Sequence, residues 1–526
     1  MKNRKKEILI IAIILILQTI IYVCVGANKA YLHIDEAYSF GLTNYERIEI
    51  QDNEDFYDSW HNKEYYEEYL SIQDNEVGDY KPVYENQKND VHPPLYYLML
   101  RIAMNFTKGH FSKWPGIILN IIIYTFVTIF MYLILKKLFK EDNNSTEKSA
   151  ILAFISSIVL ASVSNVIYIR MYSLSTLIIL ITTYLHIKLL EKENVDYKLL
   201  ISIGITVLAG VLTHYYYLFY LVVLYLVFLV KYIKEKKIKQ LVYYTLTMLI
   251  AGIISLVIFP YSIQHMFFGY RGQGVISKLG NVQEILPSIQ EQVHNLNYYV
   301  FNNLMYIILV IIFGIIIYNV IHKKQILKIN QNEKNILKLI YMPTIFFFII
   351  ATIASPWNVL RYIVPVCGLI FILVIYYLYK ILQTIFSEKA TNIFVCILLG
   401  IIIISPFIFK MQPELWYKDK KEILKKIDEE INVPTIYLYN TQYGRFLDDM
   451  LLFAIIDESY IAKDIECTEE NIQKILKNKD ISNGIIILIN EESGKEEIIE
   501  NVKNYLNFTN WEHIHKMSGC NAYYIK

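Results

Sequence analysis

The chain has 526 residues, 55% of them hydrophobic and only 19% charged, with a mean hydropathy of +0.34. Its formal net charge is +1, so bulk charge gives no case for nucleic-acid binding, and the composition is not that of a soluble enzyme. Apolar runs rich in Ile, Leu, Tyr and Phe recur from Ile8 to Phe409. Many reach the ~20 residues that cross a ~30 Å hydrocarbon core, which predicts a mainly α, polytopic membrane protein.

The first span is expected over residues 8–25. It follows Lys2, Arg4, Lys5 and Lys6, as a signal peptide would, but no small-residue cleavage site comes after it. It is therefore read as a retained helix with a cytoplasmic N-terminus. Just beyond it lies His33-Ile34-Asp35-Glu36-Ala37-Tyr38-Ser39-Phe40. Two adjacent carboxylates beside a bilayer are a poor structural choice, because ionised groups cost free energy where water thins out. Asp35 and Glu36 are the candidate catalytic residues, with Asp35 as the base. An acidic, Tyr-rich stretch runs on from Glu46 to Tyr84, and residues 64–69 within it suit an amphipathic helix.

His92-Pro93-Pro94 then opens an apolar run to Phe106. At 1.5 Å per residue it covers roughly 20 Å, and it contains Arg101, so it is expected to lie in the interface. Ten further spans are expected over 115–135, 150–168, 172–189, 198–212, 215–231, 240–260, 301–321, 338–354, 361–380 and 391–409, which makes eleven with the first. This division puts nineteen lysines in the loops assigned inside. It puts four basic residues, Arg170, Arg271, Lys278 and Arg361, in the short loops assigned outside. Letting 94–108 span would invert that asymmetry. Residues 27–114 are thus a first outer loop with juxtamembrane helices, and 1–410 are a transmembrane domain. An odd span count places 411–526 outside as a soluble extracytoplasmic domain of a multi-pass plasma-membrane protein. Helices at 419–430, 445–456, 469–476 and 496–505 alternate there with strands at 434–439, 484–489, 511–516 and 522–525, the pattern of a small α/β domain. It has no Gly-rich phosphate loop or nucleophile elbow, so no chemistry is assigned to it. Cys467 and Cys520 both fall in it, either as free thiols or as a disulfide.

The outside face gathers the unusual residues: His92, Arg170-Met171-Tyr172, Thr213-His214-Tyr215-Tyr216, His265, Tyr270-Arg271 and Arg361-Tyr362. A transporter should place ionisable groups near mid-membrane, whereas these spans are almost free of charge. Arg170, Arg271 and Arg361, where positive charge is depleted, suit a phosphate headgroup. His92, Tyr172 and His214 are further candidates for phosphate contact. A divalent metal is left open, with Glu36, His92 and His214 as candidate ligands whose spacing decides nothing.

Five motifs in consistent order, His33-Ile34-Asp35-Glu36-Ala37-Tyr38-Ser39, His92-Pro93-Pro94-Leu95-Tyr96-Tyr97, Arg170-Met171-Tyr172-Ser173-Leu174, Thr213-His214-Tyr215-Tyr216 and Arg361-Tyr362, resemble membrane glycosyltransferases of the C-type (GT-C) fold. The group they resemble is the dolichyl-phosphate-mannose-protein mannosyltransferase-like family, similar to glycosyltransferase family 39. That family is related to protein O-mannosyltransferases and to the lipid A aminoarabinose transferase. The resemblance covers residues 1 to about 382. It implies a polyprenyl-monophosphate sugar as donor, inverting transfer to a hydroxyl acceptor on the outer face, and Asp35 as base. The acceptor, lipid, wall polymer or protein, is not implied. A flippase or exporter of lipid-linked sugars and an oligosaccharide polymerase or ligase are the alternatives.

Overall fold

A computed structural model describes residues 2–44, 54–279, 282–442, 446–490, 494–517 and 519–526. The chain divides into two compact units, one of Met1–Val25, Val91–Tyr96 and Ile117–Glu414, the other of Gly26–Asp90, Tyr97–Gly116 and Leu415–Lys526.

In the first unit, apolar side chains all round each helix leave no polar face to hydrate, the pattern of a membrane span. Among the described residues, eight helices are long and apolar enough to cross a membrane: Arg4–Asn28, Trp114–Leu138, Tyr172–Leu190, Tyr217–Lys234, Ile238–Ile258, Gln331–Ala354, Val364–Leu382 and Glu388–Ile408. Two bent pairs, Ser145–Ile158 with Leu160–Ile167 at 58° and Gln283–Val300 with Met305–Ile321 at 98°, bring the number to ten if each is one span. Tyr197–Val211 is an apolar helix of only 15 residues. Each of the eleven expected spans has a helix in its place, and by length and composition eight to ten of them are full spans. An apolar window registers length, not direction. Val159 turns extended between the first pair (φ −59°, ψ 153°). Asn302 and Asn303, at φ 50° and 66°, turn the second, in the left-handed region that Asn tolerates.

The Val364–Leu382 helix is central, with 78% of its apolar stretch buried, against 17% for Arg4–Asn28 and for Ile238–Ile258, whose Ile and Leu side chains face outward. At the far end of the Val364–Leu382 helix, Lys380 pairs with Glu333 at 2.7 Å and Asp142 at 2.9 Å. Tyr376 donates to the same Glu333 oxygen at 2.8 Å. Lys148 binds Glu388 at 2.8 Å nearby. These are two of the lysines counted inside, and here they link four helices in two pairs rather than meeting solvent. Removing one partner from such a buried network strands the other. Lys380→Met is expected to destabilise the folded protein by about 3–5 kcal/mol. Thermal unfolding in detergent measures it, and an unchanged midpoint would contradict the network's role.

The second unit joins the first loop to the tail, a connection that sequence reading did not make. The Leu95–Met104 helix, at ten residues, is too short to span. Its Arg101 is fully buried and serves as an internal staple. The guanidinium donates to the carbonyls of Asp79 and Thr43 and, at 3.1 Å, Glu76. The expected amphipathic helix is present as Lys63–Leu70. Its Tyr69 ring lies so close to Gly41 that a β-carbon there would meet it at 2.1 Å.

The first loop and the tail together build a six-stranded sheet from β1 (Trp60–Asn62), β2 (Thr435–Tyr439), β3 (Glu458–Lys463), β4 (Ile485–Ile489), β5 (Trp511–Lys516) and β6 (Asn521–Ile525), in the order β1-β3-β2-β4-β6-β5. β2 runs parallel to β3 and β4, and the other pairs are antiparallel. β4, fully buried Ile and Leu, is the centre, as its unbroken apolar run requires. Helices Lys421–Glu429, Glu469–Ile475 and Lys495–Tyr505 fall where expected. The helix expected at 445–456 is a 3-10 turn, Phe446–Asp449, followed by the short Met450–Phe453, and Arg445 lies outside the described residues. β1 and β3 were not expected, since charged or polar ends mask their short alternation. Cys467 and Cys520 are both free thiols, one packed against the sheet core and the other buried beside Asp449, so the alternative of a disulfide is corrected.

Candidate active site

The acidic pair belongs to the second unit. His33 starts the Ile34–Asn44 helix and accepts the amides of Glu36 at 2.8 Å and Ala37 at 3.1 Å. The Glu36 carboxylate reaches back to the His33 amide at 2.8 Å, the reciprocal bond of a capping box. The same oxygen pairs with Lys29 at 2.9 Å, and neither side chain has exposed surface. Lys29 also donates to the Leu415 carbonyl at 2.8 Å and lies over the Tyr417 ring, 5.6 Å from its centre. Burial pulls the Lys29 ammonium below its ordinary pKa, and Glu36 works against that. Asp35 is placed differently. Its side chain is 21% exposed, its amide donates to His33 Nδ1 at 3.1 Å, and its carboxylate lies 3.7 Å from that nitrogen.

The remaining candidates whose side chains are described lie in the first unit, and a single side chain organises them. Asn120, fully buried in the Trp114–Leu138 helix, donates to the carbonyls of Val166 and Tyr168, each at 3.0 Å. It accepts from Tyr96 at 3.1 Å and Ser173 at 2.6 Å. That uses its two donors and two acceptor sites, and it fixes the Arg170-Met171-Tyr172 turn beside the residues that follow His92. The Leu95 amide donates to the Leu212 carbonyl at 3.0 Å, which joins the His92 stretch to the Thr213-His214 turn.

On this frame the rings form a continuous series. Tyr168 stacks on Tyr172 at 6.0 Å, Tyr172 meets His214 at 5.5 Å and Tyr362 at 6.3 Å, and His214 lies 6.4 Å from His92. Arg361 donates to the Tyr168 hydroxyl at 3.3 Å and lies over the rings of Trp357 and Tyr362 at 5.6 and 5.4 Å. Cation–π contact of this kind orients a guanidinium. Burial, then the charges of His92 and Arg170, push His214 down to about 3. The Tyr216 amide donates to its Nδ1 at 3.1 Å, so the neutral ring carries its proton on Nε2.

His92, Arg170, Tyr172, His214 and Arg361 thus come together. Arg271 lies at the start of the Tyr270–Leu279 helix, and its side chain lies outside the described residues. His265 is buried in a π turn with Tyr215 3.0 Å from its Nδ1. Among the described residues, no three of His, Cys, Asp or Glu gather closely enough to hold a metal ion. Sequence reading missed Lys29 and Asn120. The signals were present: a lysine just past a span, and a lone amide within one.

Lys29→Met is expected to destabilise the protein by about 3–5 kcal/mol, because it strands Glu36 in a dry site. Lys29→Met with Glu36→Leu should recover most of that loss. A thermal-unfolding double-mutant cycle tests it, and additive losses would contradict the pairing.

Residues 91–261 match the family model for dolichyl-phosphate-mannose-protein mannosyltransferases. Over that stretch the chain is similar to a membrane glycosyltransferase, as its motifs imply. No curated protein matches. Similar solved structures include ArnT from Cupriavidus metallidurans bound to undecaprenyl phosphate, at 8% identity and a TM-score of 0.47 over 98% of this chain and 97% of that one. The same protein in the apo state matches at 8% identity and a TM-score of 0.48 over 100% and 98%.

Proposed function

We propose that this chain is an inverting glycosyltransferase that moves a sugar from a polyprenyl-monophosphate donor to a hydroxyl acceptor on the outer face of the membrane. The observation that carries the reading is the family match, because residues 91–261 take in His92, Arg170, Tyr172 and His214, which the geometry gathers into one cluster with Arg361. The family's name specifies a lipid-monophosphate sugar as donor. The lysine-rich opposite helix ends support an outer position for the cluster.

A glycosyl phosphate already carries a good leaving group, so the demanding proton transfer is from the acceptor. Asp35 takes the acceptor hydroxyl proton as the oxygen attacks the anomeric carbon. The bond from that carbon to the phosphate oxygen breaks, and direct displacement inverts the centre with one carboxylate. Arg361 and Arg170, with Arg271 in the same role, neutralise the departing lipid phosphate. Tyr172 and His92 border it, and His214, held neutral, donates from Nε2. Glu36 is a positioning residue that fixes the helix presenting Asp35. No step is routed through a metal ion.

Asp35→Asn in purified protein is expected to slow transfer from a polyprenyl-phosphate sugar by about 10²–10⁴-fold with the donor KM little changed. Near-wild-type turnover in a folded variant would overturn the assignment. Arg361→Ala is expected to raise the donor KM by about 10–100-fold, the worth of a charge-assisted hydrogen bond. An unchanged KM in steady-state assays would remove Arg361 from the donor site.

A further inference from the structure

Arg361 sits in a 3-10 turn, Leu360–Tyr362, entered from the Gln331–Ala354 helix through an irregular stretch, residues 355–359. Backbone outside helix and sheet has no built-in partners, so its buried carbonyls need donors from elsewhere. Here the donors are mostly side chains. The Ser355 hydroxyl donates to the Trp357 carbonyl at 3.1 Å. Lys278, on the Tyr270–Leu279 helix, donates to the Ser355 carbonyl at 2.7 Å. Asn295 and Gln292, three residues apart on the Val282–Asn295 helix, donate to the carbonyls of Asn358 and Val359, each at 3.0 Å. That spacing puts both on one face of the helix. With the Ile363 amide on the Leu360 carbonyl at 3.0 Å, five of the six carbonyls from Ser355 to Leu360 are bonded.

Gln292 has no exposed surface. Its amide nitrogen faces Val359, and its amide oxygen accepts from Asn295 at 3.2 Å. Only this orientation gives Val359 a donor and Asn295 an acceptor, so the second bond fixes the first. The ends of the stretch are held by the helices on either side. Gln292 and Asn295 hold its middle, Asn358-Val359, which separates Trp357 from the turn of Arg361. The Arg361 guanidinium lies over the Trp357 and Tyr362 rings, 5.6 and 5.4 Å from their centres. The path of that middle therefore decides where the guanidinium points.

We propose that Gln292 is a positioning residue for the donor phosphate: through the Val359 carbonyl, and supported by Asn295, it holds Arg361 in the pose that receives the anion. The inference rests on the donor site proposed above. A guanidinium bonds phosphate well only at short distance and near-linear angle, so a small shift of its turn weakens the contact. Without Gln292 the Val359 carbonyl is left buried and unbonded, and the stretch relaxes toward another donor. The loss then falls on binding of the anion, and it falls there only while Arg361 is present.

The test is a double-mutant cycle on binding of undecaprenyl phosphate to the full-length protein in neutral-lipid nanodiscs, with thermal unfolding measured on the same samples. Gln292→Met keeps the length of the side chain and removes the donor, and it is expected to raise Kd by about 3–10-fold. In an Arg361→Ala background the same change should raise Kd by less than about twofold, whereas its shift of the unfolding midpoint should be the same in both backgrounds. A purely structural role would carry the loss of binding unchanged into the Arg361→Ala background, and that result overturns the proposal. A folded Gln292→Met protein that binds as the wild type does overturns it too, and leaves the donor site intact. Arg361→Ala binding as tightly as the wild type overturns the donor site itself, and the proposal with it. If Gln292→Met does not fold, Asn295→Ala, which removes the bond to Asn358 and the support of Gln292, enters the same cycle and is judged by the same outcomes.

Discussion

A lysine and a glutamate without exposed surface, Lys29 and Glu36, set the terms for the acidic motif. Neither charge is tolerable alone in such a site, because desolvation costs several kcal/mol for each ion, so each residue requires the other. The pair holds the Glu36 carboxylate against the His33 amide and thereby fixes the first turn of the Ile34–Asn44 helix. Consecutive helical residues project about 100° apart. Pinning Glu36 inward therefore directs Asp35 elsewhere, toward partial exposure at the N-terminal end of the helix.

The first unit applies the same rule with a neutral group. Asn120 is expensive in an apolar helix unless all its bonding capacity is met, and the carbonyls and hydroxyls of neighbouring segments meet it. Its four hydrogen bonds fasten the Tyr168–Tyr172 turn to the stretch after His92. The ring series from Arg361 to His92 follows from that fastening. The acidic helix and the ring cluster thus each rest on a buried polar residue.

This explains what was legible in the sequence. The apolar runs located a helix at every expected span, because apolar length is a one-dimensional property, but the bends at Val159 and at Asn302-Asn303 are not and went unseen. The motifs named Asp35, Arg170, His214 and Arg361, since unusual residues stand out against an apolar background. They gave Asp35 as the base but not the pairing of Glu36 with a buried lysine seven residues upstream, which composition does not record. Arg101 explained why its helix does not span, but its actual task, gathering the carbonyls of Thr43, Glu76 and Asp79, depends on contacts distant in sequence. Strand β1 was invisible for the same reason, since three residues form a strand only because β3 offers an edge.

The cations at the two ends of the helices differ in how they are held, and the difference separates structure from chemistry. Lys380 and Lys148 meet carboxylates at 2.7–2.9 Å, so their charges are spent on joining helices. Arg361 lies over two ring faces and donates to a phenol hydroxyl, contacts that fix where the guanidinium points.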